Sequence, residues 1–307
     1  MTEPIIVSCS PHIRAKDSTQ TIMRDVLIAL VPALIAAVLH YGMRPLLVVA
    51  VCVVFAVASE YVMEKVCHKP VTICDLSAAV TGVLLAYNLP AGIPLWMAAF
   101  GSIAAVAFVK QLFGGLGQNF ANPAITGRII LLVSFAGAMT DWKTGYPDVI
   151  AGATPLAALA AGEAALPSKM DLFLGNIGGC IGETSKLALL IGLAYLLFRR
   201  VITWHTPVAF VATVFVLTAL LGQDPVYHVL SGGLLLGAIF MATDYATTPS
   251  NAKGRLVFGV GCGLLTVLIR VFGSYPEGVS FAILLMNILT PHIDRLTETK
   301  PLGGAKA

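Results

Sequence analysis

The chain has 307 residues, of which 57% are hydrophobic and only 11% charged, with a formal net charge of +3 at pH 7. Soluble domains carry roughly 25% charged residues, so there is too little charge here to clothe a water-exposed surface, and lipid must be the main solvent. So small a net charge implies no nucleic-acid partner.

The opening stretch, MTEPIIVSCSPHIRAKDSTQTIMR, is polar and basic and has no early apolar core. It reads as a retained segment rather than a cleavable signal peptide. After it, hydropathy and breakers mark about ten spans, at approximately 25–41, 45–66, 76–90, 94–113, 121–138, 182–198, 205–221, 227–243, 255–272 and 278–293. The third is interrupted at Asn88-Leu89-Pro90, and the eighth runs into Thr243-Asp244-Tyr245. The expected fold is an all-α integral membrane protein forming a single membrane domain, 1–307. Within it, 1–24 is an N-terminal segment, 25–138 a first set of five spans, 139–181 a long polar segment, 182–294 a second set, and 295–307 a tail.

Lys and Arg set the orientation. With the N-terminus in the cytoplasm, 14 of the 19 basic residues fall on the cytoplasmic side and five on the outer side. Both termini are then cytoplasmic, and 139–181 lies outside.

The two halves echo each other. Val109-Lys110-Gln111-Leu112-Phe113-Gly114 aligns with Ile269-Arg270-Val271-Phe272-Gly273, and Leu76-Ser77-Ala78-Ala79 with Leu230-Ser231-Gly232-Gly233. Five spans per half invert the second half, which predicts two inverted five-helix repeats, a transporter architecture with sites near the repeat interface. The alternative is recurrence of small residues for close helix packing.

The six cysteines are scattered, with no C-x-x-C pair; Cys67 and Cys74 flank His68. They read as small apolar residues rather than metal ligands.

Four places can carry chemistry. In Asp148-Val-Ile-Ala151-Gly152-Ala153-Thr154-Pro155, small neighbours leave the Thr154 hydroxyl open to covalent modification. The alternative is Thr154 as a helix N-cap with Pro155 at the first helical position. The loop Gly114-Gly115-Leu116-Gly117 lacks a following Lys-Ser/Thr, so it is a tight re-entrant turn rather than a phosphate loop, and needs burial beside protein or a cavity. Asn119 and Asn122 beside it can bind a ligand edge or cap backbone. Glu60 lies in an apolar run and is a candidate for the ion pathway; otherwise it pairs with Lys65 or is solvated. Asp75 and Asp244 are read as matching positions of the two halves, each capping a helix or lining a pathway, with capping the preferred reading.

These residues also carry a resemblance. The stretch Asp148 to Thr154 resembles the D-x-x-(S/T)-G-A-T motif of flavin transfer, with Ala151 standing where Ser or Thr is usual. Phe113 to Arg128 resembles the F-G-G-x-G-x-N-x-x-N-P-A-x-x-G-R segment of the NqrB/RnfD family, Phe240-Met-Ala-Thr243-Asp244 its F-M-A-T-D segment, and Ser10-Pro11-His12 the start of its RnfD branch. The chain lacks the longer N-terminal region of the NqrB branch.

The resemblance implies a urea-transporter-like fold and a flavoprotein subunit of an ion-translocating ferredoxin:NAD+ oxidoreductase in the cell inner membrane. FMN would be esterified to Thr154, with Asp148, Gly152 and Ala153 read by a flavin transferase. A second flavin, riboflavin, would be held without a covalent bond, with Asn119 and Asn122 at its edge. Electron transfer would be coupled to Na+ or H+ movement, with Glu60 on the ion path. The implied partners are the other subunits of an Rnf-type complex, including a second flavin-bearing subunit and iron–sulfur subunits. A urea-type channel or solute transporter without a redox role is the rival; it has no use for a flavin acceptor.

The charge bias generates a first test. Lys143→Cys, in a background lacking the native cysteines, should react with an impermeant thiol reagent in intact cells. Labelling only after the membrane is opened would reverse the orientation.

Overall fold

The computed structural model describes residues 18–144, 150–151, 154–160, 166–273 and 277–298. Their architecture is helical. The first half comprises α1 (Thr19–Tyr41), α2 (Arg44–Val66), α3 (Ser77–Tyr87), α4 (Leu95–Ala104), which continues as a π-helix over Ala105–Gln111, α5 (Pro123–Ser134) and α6 (Ala136–Met139). A two-residue ladder, β1 (Lys143–Thr144) with β2 (Ile150–Ala151), then α7 (Pro155–Ala160) and α8 (Lys169–Leu174) form the connection. The second half comprises α9 (Lys186–Phe198), α10 (His205–Leu220), α11 (Pro225–Leu230), α12 (Leu234–Leu236), which continues as a π-helix over Gly237–Met241, α13 (Ala252–Phe272) and α14 (Val279–Thr297).

Helix ends follow local chemistry. The Ser18 hydroxyl accepts from the Thr21 amide at 3.2 Å to start α1, and Gly42, at φ 73°, ends it. Asn122 caps α5, with Pro123 at the first position, and Asp224 and Pro225 do the same for α11. Leu76 turns into α3 at φ 64°, and Gly232 precedes α12 at φ 64°. The left-handed residues are not at matching positions of the echo: Leu76 aligns with Leu230, the last residue of α11, and Gly232 lies two residues further on.

Among the described residues, α1, α2, α13 and α14 are long and apolar enough to cross a membrane by themselves; α3, α4 with its π extension, α5, α9 and α10 are apolar but shorter. The protein is a multi-pass membrane protein. Helices occupy all ten stretches expected from hydropathy, with two corrections. The eighth is not continuous, because Ser231–Gly233 breaks it, and the fifth stops at Phe135 before the separate turn α6. The outward faces carry Ile28, Val31, Ile35 and Leu39 on α1, an apolar exterior suited to lipid.

With 11 residues, α3 is about 16 Å long, roughly half a hydrocarbon core of ~30 Å. It stops at Asn88, inside the protein. Its open end is covered by a stretch from beyond the connection: Ile181 N donates to Leu89 O at 3.0 Å, and Cys180 Sγ to Asn88 O at 3.2 Å. The end of the second π-helix lies beside it, with Asn88 Nδ2 3.6 Å from Met241 Sδ and Asn122 Nδ2 donating to Met241 O at 3.3 Å. The two broken helices thus meet end to end between the halves.

The charge tally needs correction. Lys110 and Arg128 on one side, and Lys186 and Arg270 on the other, are buried; Lys110 and Arg128 are in interior ion pairs and Lys186 and Arg270 are bound to backbone carbonyls, so none of them is a loop charge. Without them the bias is 12 to three, and its sign is unchanged. Asp75 and Asp244 also do not correspond: Asp75 precedes α3, whereas Asp244 follows the second π-helix.

Helices α2 and α3 touch through Gly82, where an added Cβ would lie 2.8 Å from Val53 Cα and 2.9 Å from Cys52 O. These are backbone atoms and cannot turn aside. Gly82→Ala should therefore destabilise the purified protein by about 1–3 kcal/mol, read as an earlier loss of monodispersity on heating. Gly137→Ala, where nothing lies within 4 Å, is the control. Equal behaviour of the two would refute the close contact.

Candidate functional site

A cavity of about 370 Å³ lies between the halves, within the roughly 300–1,000 Å³ of small-molecule sites. Its apolar walls come from α1 and α3, including Met23 and Leu84, and from Phe240 of the second π-helix. Its polar rim comes from Asn119, Asn122, Thr243 and Asp244. Leu116 and Gly117 border it, so the glycine loop lies beside a cavity as its backbone requires. Gly114, Gly115 and Gly117 take φ of 132°, 111° and 83°, which only glycine adopts without strain.

Both asparagines border the cavity, and both also serve the backbone. Asn122 Oδ1 accepts from the amides of Ala124 (3.0 Å) and Ile125 (3.3 Å). Asn119 Nδ2 donates to Ala121 O at 3.0 Å. The volume and mixed polarity fit a flat heteroaromatic ligand such as a flavin.

Behind the cavity wall, Glu60 is fully buried. It is neither solvated nor paired with Lys65, whose Nζ lies over the Tyr61 ring at 5.7 Å. Its partner is Lys110: Nζ donates to Glu60 Oε1 at 2.5 Å and to Ser77 Oγ at 2.5 Å. Ser77 Oγ in turn donates to Asp75 Oδ1 at 2.5 Å, and Asp75 also accepts from the Ser77 amide at 2.8 Å. Asp75, one residue ahead of the N-cap Leu76, thus satisfies the first amide of α3. Gln111 Nε2 donates to the same Glu60 oxygen at 2.9 Å. Two consecutive residues reach one carboxylate because they lie on the π-helix, whose wide turn rotates neighbours less far apart.

A second polar cluster, missed from sequence, lies beyond the α3 end. Arg128 donates to Asn88 Oδ1 at 2.9 Å and Ser280 Oγ at 3.1 Å, pairs with Glu277, and lies 4.0 Å from Glu183 Oε1 and 3.6 Å from Cys180 Sγ. Cys180, Glu183 and Glu277 offer ligand atoms within 4.8 Å of one another, and the Arg128 guanidinium reaches all three. Lys186 Nζ donates to Glu183 O (2.5 Å) and Gly232 O (3.2 Å). Arg270 donates to His228 O (2.6 Å) and Ser231 O (3.2 Å). A sequence signal was available for Arg128, which lies inside the expected span 121–138; Glu183 begins the polar run Glu183-Thr184-Ser185-Lys186 and gave none.

Thr154 is 6% exposed, where an open hydroxyl was expected. Its Oγ1 accepts from the Ala157 amide at 3.2 Å and so caps α7; the capping role describes it in this structure. Asp148, Gly152 and Ala153 lie outside the described residues. Nearby, Lys169 pairs with Asp224 at 2.6 Å, and that hydrogen bond holds the Asp224 carboxyl below its ordinary value.

The sequence model of the NQR2, RnfD, RnfE family matches residues 6–303. The chain is 52% identical over 308 residues to the D subunit of the Na+-translocating ferredoxin:NAD+ oxidoreductase complex of Acetobacterium woodii, covering 98% of this chain and 96% of that one. It is 44% identical to the D subunit of the proton-translocating ferredoxin:NAD+ oxidoreductase complex of Clostridium ljungdahlii, covering 97% and 96%. It is 38% identical to the D subunit of the ion-translocating oxidoreductase complex of Ectopseudomonas mendocina, covering 97% and 95%.

Removing one partner of a buried pair costs about 3–5 kcal/mol. Arg128→Met should therefore destabilise the protein severely, and Arg128→Met with Glu277→Gln measurably less, both read by thermal unfolding in detergent. An Arg128→Met protein as stable as wild type would remove Arg128 from its structural role.

Proposed function

The chain belongs to the NQR2, RnfD, RnfE family, and from that premise we propose that it is the D-type membrane component of an ion-translocating ferredoxin:NAD+ oxidoreductase. End-to-end similarity to proteins of that name carries the reading. In it, the chain passes electrons through the membrane, coupled to Na+ or H+ movement, beside a second flavin-bearing subunit and iron–sulfur subunits. Thr154 bears FMN through a phosphoester on the outer side, and both termini are cytoplasmic.

The cavity takes the second, phosphate-free flavin. Bound flavins supply the electron chemistry, and the chain fixes their separation and surroundings. Asn119 and Asn122 hold the loop backbone that forms the polar rim, while α1 and α3 exclude water from the apolar wall.

We also propose that the ten helical stretches form two inverted five-helix repeats of the urea-transporter type. Two observations support this. Lys110 donates to the Ser77 hydroxyl, and Arg270, at the echoing position, donates to the Ser231 carbonyl. The pairs α1 with α9, and α5 with α14, which would be repeat mates, pack on each other.

Thr154 tests the reading. Thr154→Ala removes the acceptor but also the α7 cap, at about 1 kcal/mol. Thr154→Asn keeps a cap without the hydroxyl, and separates the two effects. Both variants should lose in-gel flavin fluorescence of the denatured chain, while Thr154→Ser retains part of it. Undiminished fluorescence in Thr154→Asn would place the acceptor elsewhere.

A further inference from the structure

Lys110 stands between two sites. It borders the cavity, as does Ser77, and its Nζ lies 2.5 Å from the carboxylate of Glu60 behind that wall. Glu60 is not itself a cavity residue. Its Oε1 receives Lys110 and Gln111, whereas its Oε2 is buried and accepts no hydrogen bond. A fully buried carboxylate with one bare oxygen is stable only while its cation stays.

The surroundings are electronegative. Glu64 is buried on the same helix, held by the Thr72 amide at 3.1 Å and the Thr72 hydroxyl at 2.5 Å. Asp75 lies on the other side of Ser77, and Asp244 at the cavity rim. Among the described residues, Lys69 donates to Gln111 O (3.4 Å) and Gly114 O (3.1 Å), and Lys65 lies over the Tyr61 ring. Glu60, Glu64, Asp75 and Asp244 are thus grouped at this end with Lys110, Lys69 and Lys65.

We propose that Lys110 is a mobile positioning residue that converts negative charge arriving in the cavity into cation uptake at Glu60. The inference rests on the cavity being the non-covalent flavin site. One electron, supplied by the ferredoxin-driven path, adds one negative charge to a neutral occupant. Lys110 turns its ammonium toward that charge and leaves Glu60 Oε1. The carboxylate, with both oxygens now lacking an ionic partner, takes one cation, a proton or Na+, from the side of the carboxylates. When the electron moves on, Lys110 returns and displaces that cation. Charge balances at each stage: one electron in, one cation in.

A four-carbon stem with a point charge suits such a swing; a guanidinium fork would be held by its several bonds. Ser77 Oγ is the pivot, because it already accepts from Nζ on the cavity side.

The test is a reductive titration of the purified complex, following the midpoint potential of the non-covalent flavin at several pH values and Na+ concentrations. One cation per electron moves the midpoint by about 59 mV per tenfold change in that cation, and the responding axis identifies proton or Na+. Lys110→Met combined with Glu60→Gln leaves no bare charge, so the protein should fold and retain flavin, with the slope abolished. Lys110→Arg keeps the charge and should recover part of the slope. A full slope in the double variant, with flavin present, would overturn the role of Lys110 and leave the flavin reading intact. A wild-type complex whose acid extract contains no non-covalent flavin would instead overturn the cavity reading, and this inference with it.

Discussion

A helix that stops inside an apolar core must have its open end satisfied by protein, because no water is there to do it. That constraint shapes the middle of this molecule. α3 ends at Asn88, and the second π-helix ends near Met241. Neither end is left bare. The Cys180–Ile181 backbone folds over the first, Asn122 reaches the second, and Thr248 Oγ1 donates to Ala242 O at 2.9 Å just beyond it. The glycine loop and the 242–251 stretch are the irregular backbone that this arrangement demands. The cavity is bounded by both.

The same constraint explains the buried charges. Arg128 is fixed by the polar end of α3, and once an Arg is inside it needs carboxylates; Glu277 and Glu183 follow. Replacing a buried ion pair with apolar residues is often neutral or stabilising, so stability alone does not explain why charge is kept. Geometry does: Arg128 bonds α3, α5 and α14 together at the junction of the halves, a geometric specification that apolar packing supplies less sharply.

Much of this was legible in sequence. Hydropathy marked the apolar stretches in which the helices lie, and the breaks at Asn88 and before Thr243 marked the interior helix ends. The limits were physical. Charge counting treats every Lys and Arg as a loop residue, and so misfiles Lys110, Arg128, Lys186 and Arg270; the carboxylates that pair with Lys110 and Arg128, Glu60 and Glu277, lie far away in sequence. Glu60 looked able to pair with Lys65 because one helical turn is the only distance a single helix reveals. Thr154 read as open because small neighbours in sequence say nothing about a tertiary lid; Tyr227 reaches over to Pro155 O at 3.4 Å. The π-helix over Ala105–Gln111 left no sequence signature at all, yet it brings Lys110 and Gln111 to one carboxylate.

The two echoing stretches then differ where it matters. In the first, a lysine meets a serine hydroxyl and a carboxylate, and has a cavity beside it. In the second, an arginine spends its fork on the carbonyls of His228, Ser231 and Glu277. Three carbonyl bonds in fixed directions lock a guanidinium, and breaking them together would leave buried acceptors bare. An ammonium between two oxygens can give up one and keep the other, provided that the buried carboxylate it leaves gains another cation. In the proposed repeat the same position is therefore a clamp in one half and, in the proposed coupling, a movable charge in the other, and the latter is beside the cavity.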